Sequence, residues 1–193
     1  MFINTSKFKK MCKTAYDTCG LLMSREENDL LIGGGKFLIR TNMKYMTRKE
    51  KAVLIELVGN FPDNHETFRA NKGGEQQELR MPEFWNIDSR FENADRNYKP
   101  TYVLVSTTTA LVRAVQNTEN NSVLFFDDFL MGAIQVEGTW PTETTPDGPR
   151  ISENMVLWKN DICTYAILKY DLKNEDFSRL LENMELYTCK EKK

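Results

Sequence analysis

Apolar positions near the start of the chain recur at helical spacing. Phe8, Met11, Cys12, Ala15, Tyr16 and Cys19 follow the i, i+3, i+4, i+7 rule and predict an amphipathic helix over 6–18. Thr5 or Ser6 can accept from the free N–H groups at its start, and Gly20 can take the left-handed conformation that ends a helix. Lys7, Lys9, Lys10 and Lys13 fall off the stripe, toward water. A second helix is predicted over 48–58. Thr47 and Glu50 match the capping box, in which each side chain bonds the other residue's backbone N–H, and Gly59 closes the helix. Ala52, Leu54, Ile55, Leu57 and Val58 make it apolar on more than one face, so it is expected at the centre of the core. A third helix is predicted over 175–186, with Asn174 as its cap and Phe177, Leu180, Leu181 and Met184 as its stripe.

Between the helices the pattern is that of strands. Residues 21–27 and 30–41 predict a hairpin around Asn28-Asp29, two residues that tolerate positive φ. Strands are expected at 102–106, 109–116, 122–126 and 129–137, and a further hairpin at 155–159 and 162–170 turns at Asn160-Asp161. Residues 60–100 show little regular pattern and read as a connector or a binding loop. Pro141, Pro146, Gly148 and Pro149 mark 138–150 as a surface loop.

Short antiparallel strands with few crossovers indicate the α+β class: one or two antiparallel sheets with about three helices packed on one face. The expected unit is one domain over 1–193. An alternative division gives a helix–hairpin–helix half, 1–70, and a β-rich half, 100–193, joined by 71–99. That clamp-like reading rests on element order, because the halves share no residue-level repeat.

Composition narrows the class. Forty per cent of the 193 residues are hydrophobic, enough for a core, and no apolar run reaches the length of a membrane span. The first residues have no apolar stretch behind a basic segment, so they do not read as a signal peptide, and the expected location is the cytoplasm. Cys12, Cys19, Cys163 and Cys189 include no C-x-x-C pair. Cys12 and Cys19 stand two helical turns apart, too far for a disulfide, and are expected as reduced, core-facing thiols. Net charge is −2 but uneven: residues 1–60 hold 11 Lys/Arg and 6 Asp/Glu, and the remainder holds 15 and 22. A basic N-terminal third fits either a solvated lysine coat on two helices or a nucleic-acid contact.

Candidate chemistry is sparse, and no cofactor is expected. Gly33-Gly34-Gly35 lead into Lys36-Phe37-Leu38-Ile39-Arg40, a strand pattern, so a bend or bulge is favoured over a phosphate loop, which needs a helix to follow. Asp127 and Asp128 end a strand and, with Glu137, are weak candidates for a Mg²⁺ site and a metal-dependent nuclease. His65 stands alone in a turn sequence with no nucleophile tied to it. Phe84, Trp85 and Trp140 lie in predicted loops and can anchor a partner. Lys44, Arg48 and Lys49, around the start of the second helix, join them as candidate partner contacts.

Two stretches carry a resemblance. Asn4-Thr5-Ser6-Lys7-Phe8-Lys9-Lys10 leading to Ala15-Tyr16, and Lys51-Ala52-Val53-Leu54-Ile55-Glu56-Leu57-Val58-Gly59 followed by Pro62, resemble uncharacterised proteins of phages and prophages in gut Firmicutes. The resemblance covers about the first 70 residues and no catalytic motif. It implies an accessory phage protein that binds and inhibits a host defence nuclease, in the manner of anti-CRISPR proteins acting on a Cas effector with its guide RNA. Three functions are expected, in order of preference: such an inhibitor; a nucleic-acid-associated protein, clamp-like or DNA-binding, using the basic residues of 1–60; and the Mg²⁺-dependent nuclease.

Overall fold

The computed structural model describes residues 1–80, 86–135, 144–172 and 175–188. Helix α1 spans Thr5–Thr18 and is followed by three strands, β1 (Leu21–Glu26), β2 (Asp29–Gly34) and β3 (Phe37–Asn42). A 3-10 turn at Met43–Tyr45 leads to α2 (Arg48–Val58), then β4 (Thr67–Ala70), β5 (Gln77–Glu78) and α3 (Ile87–Glu92). The second half runs β6 (Tyr98–Ser106), β7 (Leu111–Asn117), β8 (Val123–Asp127), α4 (Asp128–Met131), β9 (Asp147–Ser152), β10 (Met155–Lys159), β11 (Cys163–Leu168) and α5 (Glu175–Glu182). A 3-10 turn at Leu186–Thr188 closes it.

The class is α+β with antiparallel sheets. One sheet has eight strands in the order β5-β4-β1-β2-β3-β11-β10-β9, the other three in the order β6-β7-β8. The segments 1–70 and 100–193 therefore share a sheet, joined where β3 pairs antiparallel with β11, Phe37 opposite Ile167 and Thr41 opposite Cys163.

Period-two alternation sorts the side chains of the large sheet into two layers. Leu21, Met23, Leu30, Ile32, Ile39, Val156, Tyr165 and Ile167 face α1 and α2 in the main core. Their neighbours Leu31, Leu38, Met155, Leu157 and Ala166 pack against Ile87, Phe91 and Ala94 of α3 and its exit. Both faces are covered, which explains the unbroken apolar runs Leu30-Leu31-Ile32 and Met155 to Trp158. The three-stranded sheet divides likewise. Val112, Ala114, Val123 and Phe125 meet Leu181 and Leu186, while Val115 and Phe126 join the main core.

The helix ends obey capping chemistry. Asn4, one residue before the expected cap, accepts from Lys7 N at 3.1 Å. At the other end of α1 the Cys19 and Gly20 N–H groups both donate to Ala15 O, and Gly20 has φ +91°. A Cβ there would collide with the side chains of Asn71 and Arg69, so glycine is required twice over. In α2 the capping box forms as expected: Thr47 N donates to Glu50 Oε2 at 2.7 Å and Glu50 N to Thr47 Oγ1 at 3.2 Å.

Several expectations are corrected. The long strand 30–41 is two strands, because Gly35-Lys36 form a two-residue hairpin loop between Gly34 and its partner Phe37. The preceding loop is Glu27-Asn28, one position earlier than expected. Glu27 sits at φ 53° while its N–H donates to the Asn64 side chain at 2.6 Å, a tertiary contact invisible to local pattern. The strand expected at 129–137 opens instead as α4, because the Asp127 carboxylate accepts from Leu130 N and starts a helical turn. Cys19 is exposed at the end of α1, one step past the last buried turn. Leu180 and Met184, assigned to the buried stripe of the last helix, are 59% and 50% exposed. Of the loop expected at 138–150, Asp147 onward is strand β9, and 136–143 lie outside the described residues.

An ionic cluster docks α3 on the sheet. Asp88 accepts from Arg40 and from Thr164, Lys159 stands 3.8 Å away, and Arg40 also reaches Asp29 at 2.7 Å. All of these charges are about one-quarter exposed, so their attraction is only partly screened. Asp88→Ala should lower the free energy of unfolding by about 2 kcal/mol, because it strips Arg40 and Thr164 of a shared acceptor and Lys159 of a nearby counter-charge. An unchanged urea midpoint would mean that α3 is held by apolar burial alone. Thr47→Ala, which breaks the capping box of α2, should cost about 1 kcal/mol in the same measurement.

Candidate nucleic-acid interface

Helices α1 and α2 pack against each other on one face of the large sheet. Phe8, Met11, Cys12 and Ala15 of α1, and Val53, Leu54 and Val58 of α2, point inward and fix the rotation of both helices. What remains outward on α1 is Ser6, Lys9, Lys10, Lys13, Thr14, Asp17 and Thr18. On and beside α2 it is Lys44, Arg48, Lys49, Ala52, Ile55 and Glu56. Basic groups thus outnumber acids on the open side of this layer. The remaining acid of α2, Glu50, is fully buried in the capping box.

The acids present are already engaged. Lys9 Nζ lies 3.4 Å from Glu56 Oε2, an ion pair that links the two helices across their groove, and Lys72 lies 3.8 Å from Asp17. Both pairs are well exposed, so each is weak and easily exchanged for another partner. Lys13, Arg48 and Lys49 form no ion pair or hydrogen bond among the described residues. Lys10 sits 4.9 Å over the Phe129 ring, Lys44 5.8 Å over Tyr45, and Lys7 donates to Gly132 O at 2.7 Å. At the far end of α2, Gln76 Nε2 donates to Val58 O at 2.6 Å and ties the following loop to the helix.

The other candidate residues scatter. Lys44, Arg48 and Lys49 are exposed at the start of α2 and belong to the basic layer. Phe84, Trp85, Trp140 and Glu137 lie outside the described residues. The Asp127 carboxylate caps α4, and Asp128 Oδ1 accepts from Arg113 Nε at 2.6 Å, so both oxygen groups serve the local fold. No group of three or more His, Cys, Asp and Glu suited to a metal ion occurs among the described residues. Gly33-Gly34-Gly35 run into a hairpin loop with no helix behind it, and a Cβ on Gly34 would stand 2.7 Å from Ala15 Cβ. The run therefore lets α1 approach the sheet. His65 is an exposed turn residue at φ 65°. Burial pushes the Cys12 thiol far above its ordinary value, which holds it protonated and inert.

Periodicity had already placed the lysines of α1 in water. It could not show that α2 lies alongside, nor that Glu56 faces Lys9, because those residues are 47 positions apart.

No helix among the described residues is long and apolar enough to cross a membrane. No family model matches the chain, and no curated protein matches it. Among solved structures it is similar to the DNA polymerase III beta subunit of Thermotoga maritima, at 13% identity over 92% of this chain with a TM-score of 0.35. A putative DNA polymerase III beta subunit of Eubacterium rectale is similar at 9% identity over 93% of this chain, TM-score 0.38. The corresponding beta chain of Streptococcus pneumoniae shows 10% identity over 92%, TM-score 0.34. The chain spans 66% of the length of each of these proteins. Likeness at this level establishes neither a shared fold nor a shared activity.

Proposed function

We propose that this protein associates with nucleic acid through the open faces of α1 and α2. One observation carries the reading: two packed helices project Lys9, Lys10, Lys13, Arg48 and Lys49 from one layer, and among the described residues four of these, all but Lys9, have no acidic or hydrogen-bonding partner. A phosphate backbone supplies what they lack, a row of anions reachable by flexible side chains. The acid excess of residues 61–193 supports the same orientation, since it disfavours phosphate elsewhere on the surface. Phosphate contacts position a protein without reading bases, so binding is expected to be insensitive to sequence.

An inhibitor of a bacterial defence nuclease, the role implied by the phage resemblance, draws on Phe84, Trp85 and Trp140. Those residues lie outside the described ones, so no geometric observation favours it over the basic layer.

Fluorescence anisotropy with labelled duplex and single-stranded DNA and RNA tests the proposal. Affinity should fall steeply with salt, with a log–log slope of about −3 to −4 if about four phosphates are neutralised. Replacing Lys13, Arg48 and Lys49 together by alanine should weaken binding to every sequence alike and flatten that slope by about 3. No anisotropy change with any of these nucleic acids at low salt would sink the proposal.

A further inference from the structure

A cleft of about 490 Å³ lies between α1, the β2–β3 turn and the segment around α4. Its interior is apolar, formed by Met11, Ala15, Phe37, Ala110, Phe129 and Leu130. Thr14, Thr18 and Thr109 add hydroxyls, and Lys10 and Lys36 complete the lining. Lys10 Nζ is 4.9 Å from the Phe129 ring centroid, and Lys36 Nζ is 4.1 Å from that of Tyr170. Neither lysine forms an ion pair among the described residues. The single acid of the lining, Asp127, directs its carboxylate to Leu130 N at 3.2 Å, into the first turn of α4.

Two cations without anions, beside an apolar hollow of ligand size, define a complementary shape. We propose that this cleft binds a small amphipathic anion: an aromatic or short aliphatic body carrying one carboxylate or sulfonate. The body fills the space over Ala15, Phe37 and Ala110. The anion sits between Lys10 and Lys36, which leave their aromatic rings to meet it. A cleft of this volume takes one compact ligand and not an extended chain.

The cleft shares Lys10 with the nucleic-acid layer, but Ala110 and Lys36 lie off the open faces of α1 and α2, so variants at these two positions test the cleft apart from nucleic-acid binding. The probe is 8-anilinonaphthalene-1-sulfonate, an aromatic body with one sulfonate, followed by its fluorescence with the folded protein. Its uncharged counterpart N-phenyl-1-naphthylamine serves as the control. Saturable binding of one dye per chain is expected, displaced by decanoate and weaker by at least about tenfold for the uncharged probe. Ala110→Trp, which fills the hollow, should abolish it. Thr14→Trp, on the helical wall, gives a second variant should the first fail to keep the native circular dichroism. Lys36→Gln should lower dye affinity about threefold to tenfold while leaving nucleic-acid retention unchanged. The inference is overturned by no saturable binding, by equal affinity for the two probes, or by a folded filling variant that binds the dye as the native chain does.

Discussion

The structure hangs on the pairing of β3 with β11. Residues some 125 positions apart in the chain form one ladder there, and through it β1–β5 and β9–β11 become a single sheet. Bringing such distant segments together costs loop-closure entropy that grows only slowly with length. The return is a floor wide enough to bury α1 and α2 on one side and α3 on the other. Without that ladder neither group of strands would have both of its faces covered.

Covering both faces takes polar side chains out of water, and several of them pair inside. Ser24 and Thr67 share a hydrogen bond at 2.5 Å between adjacent strands, and Tyr165, fully buried, donates to Leu130 O at 3.0 Å. The latter bond stitches the large sheet to α4 and so to the smaller one. Met1, Phe2 and Ile3 are fully buried beside the same segment, with Gln135 N donating to Phe2 O at 2.7 Å and Asn4 N to Ala133 O at 2.8 Å. The anchoring of α1 on this frame is what turns its lysines outward together. The same anchoring leaves the cleft beside α1, where the helix, the β2–β3 turn and α4 meet without filling the space between them.

Local chemistry decided a good part of this in advance. Helix α2 runs over the span its capping box and Gly59 dictate, and Met155–Lys159 forms a strand as its pattern requires. These signals act within a turn or between adjacent residues, so the sequence carries them whole. The α+β class and the water-facing lysines of α1 were legible for the same reason, whereas the glycine run read as a bend within one strand and is a hairpin turn between two. Where a distant residue intervenes, local reading failed. Asn64, 37 positions away, accepts from Glu27 N at the first hairpin loop, whereas the Asp127 cap on Leu130 N, three residues on, is a local signal that the strand-like pattern of 129–137 hid.

What the sequence determined by itself, then, is the span and inward face of its best-marked elements, α1, α2 and β10 among them, because propensity, capping and periodicity are properties of neighbours. Only the tertiary structure decided the strand order, the placing of α3 against Arg40 and Thr164, the alignment of α2 with α1 and the opening of the cleft. Each of these depends on contacts between residues tens of positions apart, where many arrangements satisfy the same local pattern and mutual packing selects one.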